Sequence, residues 1–87
     1  MHTKYIRHSA IGFVLWDSKV MVTHEQMAKA MPKHMGGNLL SAGFVVFVQG
    51  RPHCMGGSTS LDLQGAADDN AVLAKQLGIV PVLQVQP

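Results

Sequence analysis

A ten-residue run that is apolar on both faces, residues 39–48, constrains the fold more than any other feature of this chain. β-Branched and aromatic residues favour a strand here, and the side chains of a strand alternate between its two faces. One face carries Leu40, Ala42, Phe44, Val46 and Val48. The other carries Leu39, Ser41, Gly43, Val45 and Phe47. A strand of this kind needs cover on both of its faces.

Three shorter strands are predicted around this long one. Residues 4–8 and residues 11–16 are rich in β-branched and aromatic side chains, which indicates two short strands or one bent hairpin. Residues 49–52 form a predicted turn, after which residues 53–61 return as the hairpin partner of the long strand. Gly56 and Gly57 inside that returning strand indicate a bulge or a close approach of two backbone segments.

The first predicted helix covers residues 24–32. Thr23 is a favourable N-cap, and Gln26 completes a capping box, in which the side chain of each residue bonds the backbone N–H of the other. Pro32 cannot continue a helix, because it lacks a backbone N–H and its ring clashes with the preceding turn. The helix is therefore expected to end at that residue.

The second predicted helix follows the loop before residue 68 and ends at Gly78. An aspartate side chain can accept a hydrogen bond from the first backbone N–H groups of a helix, so Asp68 or Asp69 is the predicted cap. Glycine readily adopts the left-handed conformation that often follows a helix. The remaining residues, 79–87, show the alternation of a strand, which predicts an extended C-terminal tail or arm outside the domain.

These elements predict one α+β domain over residues 1–78, a two-layer ββαββα arrangement with an antiparallel sheet and two short helices on one face. A chain of 87 residues makes a small domain, and a lone monomer of this size is marginally stable. Because two short helices cover only one face of such a sheet, the other face is expected to stay open. We expect a homodimer or another protein to cover it; the alternative is a curled sheet wrapped by the tail.

Five residues are predicted to bind a partner. Trp16, Val45 and Phe47 are expected on the uncovered sheet surface, and Leu83 and Val85 lie on the tail. An arm that adds to the edge of a neighbouring sheet would pair its own backbone groups and cover apolar area at the same time. The sequence therefore favours association through apolar β surface.

The pair His53 and Cys54 is the strongest candidate for catalysis, because it resembles the start of the phosphate-binding loop of tyrosine phosphatases. That chemistry needs an arginine where this chain has Ser60. Residues 56–60 are rich in glycine and serine but lack the lysine of a nucleotide-binding loop. Five histidines do not have the spacing of a metal site: His2, His8, His24, His34 and His53. We predict no catalytic, cofactor-binding or metal-binding residue, and a protein that is not an enzyme.

The basic residues of the chain raise a second class of function, nucleic-acid binding. Seven lysines and arginines against five aspartates and glutamates leave a net charge of +2, and the basic residues form no run. A strong binder of the nucleic-acid backbone usually has a denser basic stripe. A small nucleic-acid-binding domain is nevertheless the alternative function. Its contact residues would be Arg7, Lys19, Lys29, Lys33 and Arg51, around Tyr5 and Trp16.

The sequence also bears on the compartment. The longest apolar run, residues 42–48, is too short to cross a membrane, and the N-terminal residues lack the apolar core of a signal peptide. The single cysteine, Cys54, cannot form an internal disulfide, which fits a reducing environment. We therefore expect a cytoplasmic protein.

Three segments together resemble a known group of proteins. These are the strand Leu40-Ser41-Ala42-Gly43-Phe44-Val45, residues 54–63, and the helix that starts at Asp68-Asp69. They are similar to small uncharacterised proteins of tailed-bacteriophage and prophage genomes, in which an SAGF strand precedes a G-x-S-x-S-L-x-L segment and a short helix with an acidic cap. The resemblance covers about residues 4–78. It implies a host-takeover accessory protein that binds and modulates or inhibits a host protein, and it assigns no residue to that role. Together with the apolar strands, it predicts a non-enzymatic module that acts through an apolar sheet face or edge.

Overall fold

A computed structural model describes residues 3–79. Along the chain the elements are β1 (Thr3–His8), β2 (Gly12–Asp17), α1 (His24–Ala30), β3 (Leu39–Val48), β4 (Arg51–Met55), β5 (Gly57–Ser58), β6 (Leu63–Gln64) and α2 (Asp69–Gln76). The first four strands form one antiparallel sheet in the order β2-β1-β3-β4, and β5 pairs with β6 in a separate hairpin. The predicted mixed α+β fold with an antiparallel sheet is confirmed.

The long strand β3 lies in the interior of the sheet, between β1 and β4. Its bounds, Leu39–Val48, are those expected from the apolar run. The turn into β4 consists of Gln49 and Gly50, both with positive φ (52° and 75°), a conformation that suits a two-residue hairpin. Ala42 and Val45 belong to different buried clusters, which explains why the middle of the run is apolar on both faces. Nearer its ends, Leu40, Phe47 and Val48 are about half exposed.

The predicted partner strand over residues 53–61 is wrong beyond Met55. The chain leaves β4 at Gly56, which has a φ of 69°, and then forms the small β5–β6 hairpin. At Gly57 a side chain would collide with the backbone oxygen of Leu63 on β6. The glycines therefore mark a close approach of two backbone segments and the end of a strand, and they do not lie within one long strand.

The two helices lie on opposite faces of the sheet. Tyr5 packs with Leu73 of α2, whereas the next residue, Ile6, belongs to the cluster that contacts Met27 of α1. Because successive strand residues point to opposite faces, α1 and α2 must cover different faces. The expectation of both helices on one face is thus corrected: β1 and β3 are apolar on two sides, and each side has its own helix.

The caps and ends predicted for the two helices agree with the structure in part. The capping box is confirmed, because the Thr23 hydroxyl accepts from the Gln26 backbone N–H and the Gln26 side chain accepts from the Thr23 N–H. Helix α1 ends at Ala30, two residues earlier than expected. After α2 the chain turns at Gly78, with a φ of 75°.

Within residues 3–79 no helix has both the length and the apolar character needed to cross a membrane. Residues 80–87 lie outside the described part of the chain. The division into a domain over residues 1–78 and an arm over residues 79–87 therefore stays a prediction.

Candidate functional site

A buried carboxylate, Asp69 at the start of α2, lies at the centre of a polar cluster on the α2 face. Its Oδ2 accepts from the Tyr5 hydroxyl at 2.6 Å and from the backbone N–H of Ala66 at 2.8 Å. Its Oδ1 accepts from the Ser41 hydroxyl at 2.9 Å and from Arg7 Nη1 at 3.0 Å. A carboxylate that is only 1% exposed is tolerated because four donors replace its lost water.

Arg7 joins two aspartates at the N-terminus of α2. Its guanidinium donates to both carboxylate oxygens of Asp68, at 2.7 and 3.3 Å, and also to Asp69. The guanidinium carbon lies 5.6 Å from the centre of the Phe13 ring. The hydrogen bond from Arg7 lowers the pKa of Asp68.

The predicted capping role of these aspartates is corrected in part. Asp68 occupies the N-cap position of α2, but its side chain makes no capping hydrogen bond. The reason is that its carboxylate bonds Arg7 on β1 instead. Asp69 binds the backbone N–H of Ala66, which precedes the helix, together with side chains of the sheet. Both aspartates therefore attach α2 to the sheet and do not satisfy the first N–H groups of the helix.

The two acidic side chains near Asp69 stay protonated at neutral pH. Burial raises the pKa of the Tyr5 phenol, and the adjacent Asp69 carboxylate raises it further. Burial, followed by the charge of Asp69, raises the pKa of the Cys54 thiol to about 11. A thiol in this state is a poor nucleophile, because the thiolate is the reactive form.

The Asp69 cluster has no access for a substrate. Tyr5 and Ser41 are fully buried, and Asp69 is nearly so. Within the described residues, every buried side-chain nitrogen or oxygen has a hydrogen-bond partner. General acid–base or nucleophilic catalysis needs a group that can reach a substrate proton or reacting atom. The geometry is that of a structural junction, which fixes α2 against β1 and β3.

Helix α2 is also attached to both edge strands of the sheet. The Gln76 side-chain amide accepts from the Phe13 N–H at 2.7 Å and donates to the Phe13 carbonyl at 2.9 Å. On β4, the Cys54 N–H donates to Asn70 Oδ1 at 2.7 Å, and Pro52 has no N–H to offer. Because these backbone groups of the edge strands are already bonded or absent, the sheet edges are poor templates for pairing with another strand.

A groove of about 810 Å³ runs between β4 and α2 and is open to solvent on one side. Its lining is Arg51, Pro52, His53, Asn70, Ala71, Ala74, Lys75, Gly78 and Ile79. The alanines, the proline and the isoleucine make most of the lining apolar, while Arg51 and Lys75 contribute positive charge. None of these lining residues is acidic.

The three predicted partner-binding residues of the sheet do not form one exposed surface. Trp16 is 8% exposed and Val45 is fully buried, so the expectation that they are exposed is corrected. Trp16 packs in the cluster on the α1 face, and Val45 packs with Leu73 of α2, because each sheet face has its own helix. Phe47 is 45% exposed, near the tip of the β3–β4 hairpin, and its role stays a prediction. The other two, Leu83 and Val85, lie outside the described residues.

The residues chosen for the nucleic-acid alternative are also placed differently. Tyr5 and Trp16 are buried, so neither can stack on a base. The guanidinium of Arg7 is bonded to Asp68 and Asp69. The aromatic and basic side chains named for this alternative therefore do not form an exposed surface together.

The described histidines make separate contacts. His8 Nδ1 accepts from the backbone N–H groups of Ala10 and Ile11, and His24 Nε2 donates to the Gly43 carbonyl. Among residues 3–79 no three His, Cys, Asp or Glu side chains are arranged to hold a metal ion. His53 lines the groove beside β4.

The sequence did not reveal the groove or the Asp69 cluster as sites. The only local signal for the cluster is a pair of aspartates at a helix start, which capping also explains. Comparison of the chain with protein-family models, with curated proteins and with solved structures gives no match. Function is therefore inferred from the geometry.

Proposed function

We propose that the protein is a small non-enzymatic protein-interaction module, and that the groove between β4 and α2 is its binding surface. The observation that carries this proposal is the groove itself: it is large, open and mostly apolar, with Arg51 and Lys75 among its lining residues. Exposed apolar surfaces rimmed by polar residues mark protein–protein contacts and ligand-binding grooves.

A non-enzymatic role is supported by the state of the chemically reactive side chains. The Tyr5, Ser41 and Asp69 side chains are buried and bonded to one another. The Cys54 thiol is protonated at neutral pH, since its pKa is raised to about 11. These groups hold the fold together and offer no free nucleophile or base to a substrate.

The groove is favoured over a sheet face or sheet edge as the place of contact. Each face is packed against a helix, and Gln76 and Asn70 occupy backbone groups of the two edge strands. A partner is therefore expected to insert side chains into the groove. The exposed Phe47, which pairs with Pro52 near the start of β4, would extend this surface.

The resemblance to small phage proteins supports a host protein as the partner, so we assign the module the role of a modulator of a host factor in the host cytoplasm. A protonated lone thiol is compatible with that reducing compartment. The homodimer expected from the sequence remains the alternative use of the same groove.

The test is affinity capture from host lysate with two matched variants. Ala71→Glu places a carboxylate in the groove, and Ala30→Glu places one at the end of α1, on the opposite face; both alanines are exposed. We expect the wild type and Ala30→Glu to retain the same protein in equal amounts, and Ala71→Glu to lose it. Thermal melts check that both variants are folded. Equal capture by Ala71→Glu, or no specific capture by the wild type, contradicts the proposal.

A further inference from the structure

We propose that the groove recognises an acidic, apolar peptide segment of its partner protein, with apolar side chains on the groove floor and a carboxylate beside Lys75. This inference rests on the proposed function and specifies its ligand. Three features carry it: the charge of the lining, the small size of the floor residues, and the hydrogen-bonding state of the β4 edge.

The charge of the groove is positive. Lys75 places an ammonium group on the α2 wall, and none of the described lining residues is acidic. The acidic residues at the start of α2 add little negative charge here, because Arg7 pairs with both Asp68 and Asp69. An apolar floor lowers the local dielectric constant, which strengthens the attraction between Lys75 and a partner carboxylate.

The floor of the groove is built from small residues. Ala71 and Ala74 lie three positions apart, on one flank of α2, and Pro52 faces them from β4. Small side chains leave the volume of about 810 Å³ for larger side chains of a partner. Leucine- or phenylalanine-sized groups gain most from such a floor, since the free energy of burial grows with the apolar area removed from water.

A peptide fits this groove better than a free amphiphilic molecule. Small-molecule pockets bury about 70–90% of their ligand, whereas this groove is open to solvent along one side. The β4 edge also argues against strand addition. The outward N–H of Cys54 is bonded to Asn70, and Pro52 has none, so a partner strand would meet no free donor at either position. Recognition is thus expected through side chains.

The chain offers two other occupants, residues 80–87 and the acidic start of α2 in a second copy. Residues 80–87 follow Ile79 at the groove but contain no acidic residue. In a second copy, Asp68 and Asp69 are bonded to Arg7. Both occupants are nevertheless outcomes of the experiment.

The experiment measures fluorescence anisotropy of labelled peptides with the full chain. Three short peptides share the same leucine and phenylalanine residues and carry two glutamates, two glutamines or two lysines. We expect the glutamate peptide to bind at least about tenfold more tightly than the glutamine peptide, equal to ~1.4 kcal/mol. The lysine peptide should bind most weakly. The glutamate preference should shrink at high ionic strength, because salt screens the charges.

Two matched variants locate the recognition. Lys75 and Lys29 are each the basic residue in the last turn of their helix, but only Lys75 lines the groove. Lys75→Glu should abolish the preference for the glutamate peptide, whereas Lys29→Glu should preserve it. Ala71→Glu should weaken both the glutamate and the glutamine peptide.

Four results overturn the inference: no measurable binding of any peptide, equal binding of the glutamate and glutamine peptides, a preference that survives Lys75→Glu, or equally tight binding of a peptide with the sequence of residues 80–87. A dimer in light scattering that Ala71→Glu converts to a monomer assigns the groove to a second copy, and this result also overturns the inference.

The proposed function can fail separately. If capture from lysate still depends on Ala71, the proposed function survives any of the first three results. If Ala71→Glu affects neither capture nor peptide binding, both proposals fail.

Discussion

Helices α1 and α2 cover opposite faces of one sheet, but they are attached to it in different ways. Helix α2 is fixed by directional bonds from Asp69, Asn70 and Gln76 to three strands and to the loop before it. Helix α1 packs through Met27 and Ala28 into an apolar cluster. Hydrogen bonds specify distance and angle, whereas apolar burial is not directional. The position of α2 is therefore the more narrowly defined of the two.

This difference matters for the groove, because α2 forms one of its walls. Bonds at both ends of α2, to Cys54 on β4 and to Phe13 on β2, hold the wall at a defined distance from the β4 edge. On the other face, His24 at the start of α1 donates to the Gly43 carbonyl. Damage to the α2 attachments should alter both stability and binding, and damage to α1 should alter stability alone.

The largest effect is expected for Asp69→Ala. The substitution leaves the Tyr5 and Ser41 hydroxyls and part of the Arg7 guanidinium without their acceptor, and breaking a buried ionic pair in this way costs ~3–5 kcal/mol. Urea denaturation measures the change in unfolding free energy. The matched control is Asp68→Ala, which removes the neighbouring, exposed carboxylate and should have a much smaller effect. If both variants lose the same unfolding free energy, the burial of Asp69 adds nothing to its contribution to stability.

A smaller loss is expected for Tyr5→Phe. The ring remains in the core while the 2.6 Å hydrogen bond to Asp69 disappears, and a hydrogen bond to a charged group contributes ~1.5–3 kcal/mol. Because the two residues share one interaction, adding Tyr5→Phe to Asp69→Ala should cost little more. Additive losses in this double-mutant cycle would mean that the two side chains act independently.

On the α1 side, Thr23→Ala should cost ~1 kcal/mol, because one half of the capping box is removed. Peptide binding in the groove should be unchanged, since α1 lies on the other face. Coinciding denaturation midpoints for the variant and the parent would refute the capping contribution. A change in peptide affinity would refute the separation of the two faces.

The smallest effect on stability concerns Cys54. Its pKa is raised to about 11 in the folded chain, so folding favours the protonated thiol. This contribution is present below the pKa of the unfolded thiol, about 8.5, and is lost as the pH rises through about 11. The rate of alkylation by iodoacetamide should therefore rise with a midpoint near 11 in the folded protein and near 8.5 in urea. A folded-state midpoint near 8.5 would contradict the burial effect.

Local signals predicted much of the fold, but no local signal predicted the site. The capping box at Thr23 and the strand 39–48 depend on neighbouring residues, so periodicity and capping rules identify them. The donors Tyr5, Arg7 and Ser41 lie 64, 62 and 28 residues from Asp69. Only the tertiary fold brings them together.

The predicted exposure of Trp16 was wrong for the same reason, because its burial depends on the tertiary fold. A single apolar alternation does not show which face each helix covers, and placing both helices on one face left Trp16 exposed in the prediction. With the helices on opposite faces, its indole N–H donates to the Val22 carbonyl at 3.0 Å and its ring packs edge-on with His24. The groove escaped prediction for a related reason, since its lining comes from β4 and α2, which are separated along the chain.

The central claim is that the groove between β4 and α2 is the interaction surface of the molecule. The most direct test is a two-dimensional NMR titration of the full chain with the glutamate peptide, which follows every backbone amide at once. We predict that the shifted amides concentrate at His53 on β4 and at Ala71, Ala74 and Lys75 on α2, and that Met27 on α1 does not shift. Shifts concentrated on the α1 face, or no shifts at saturating peptide, would contradict the claim.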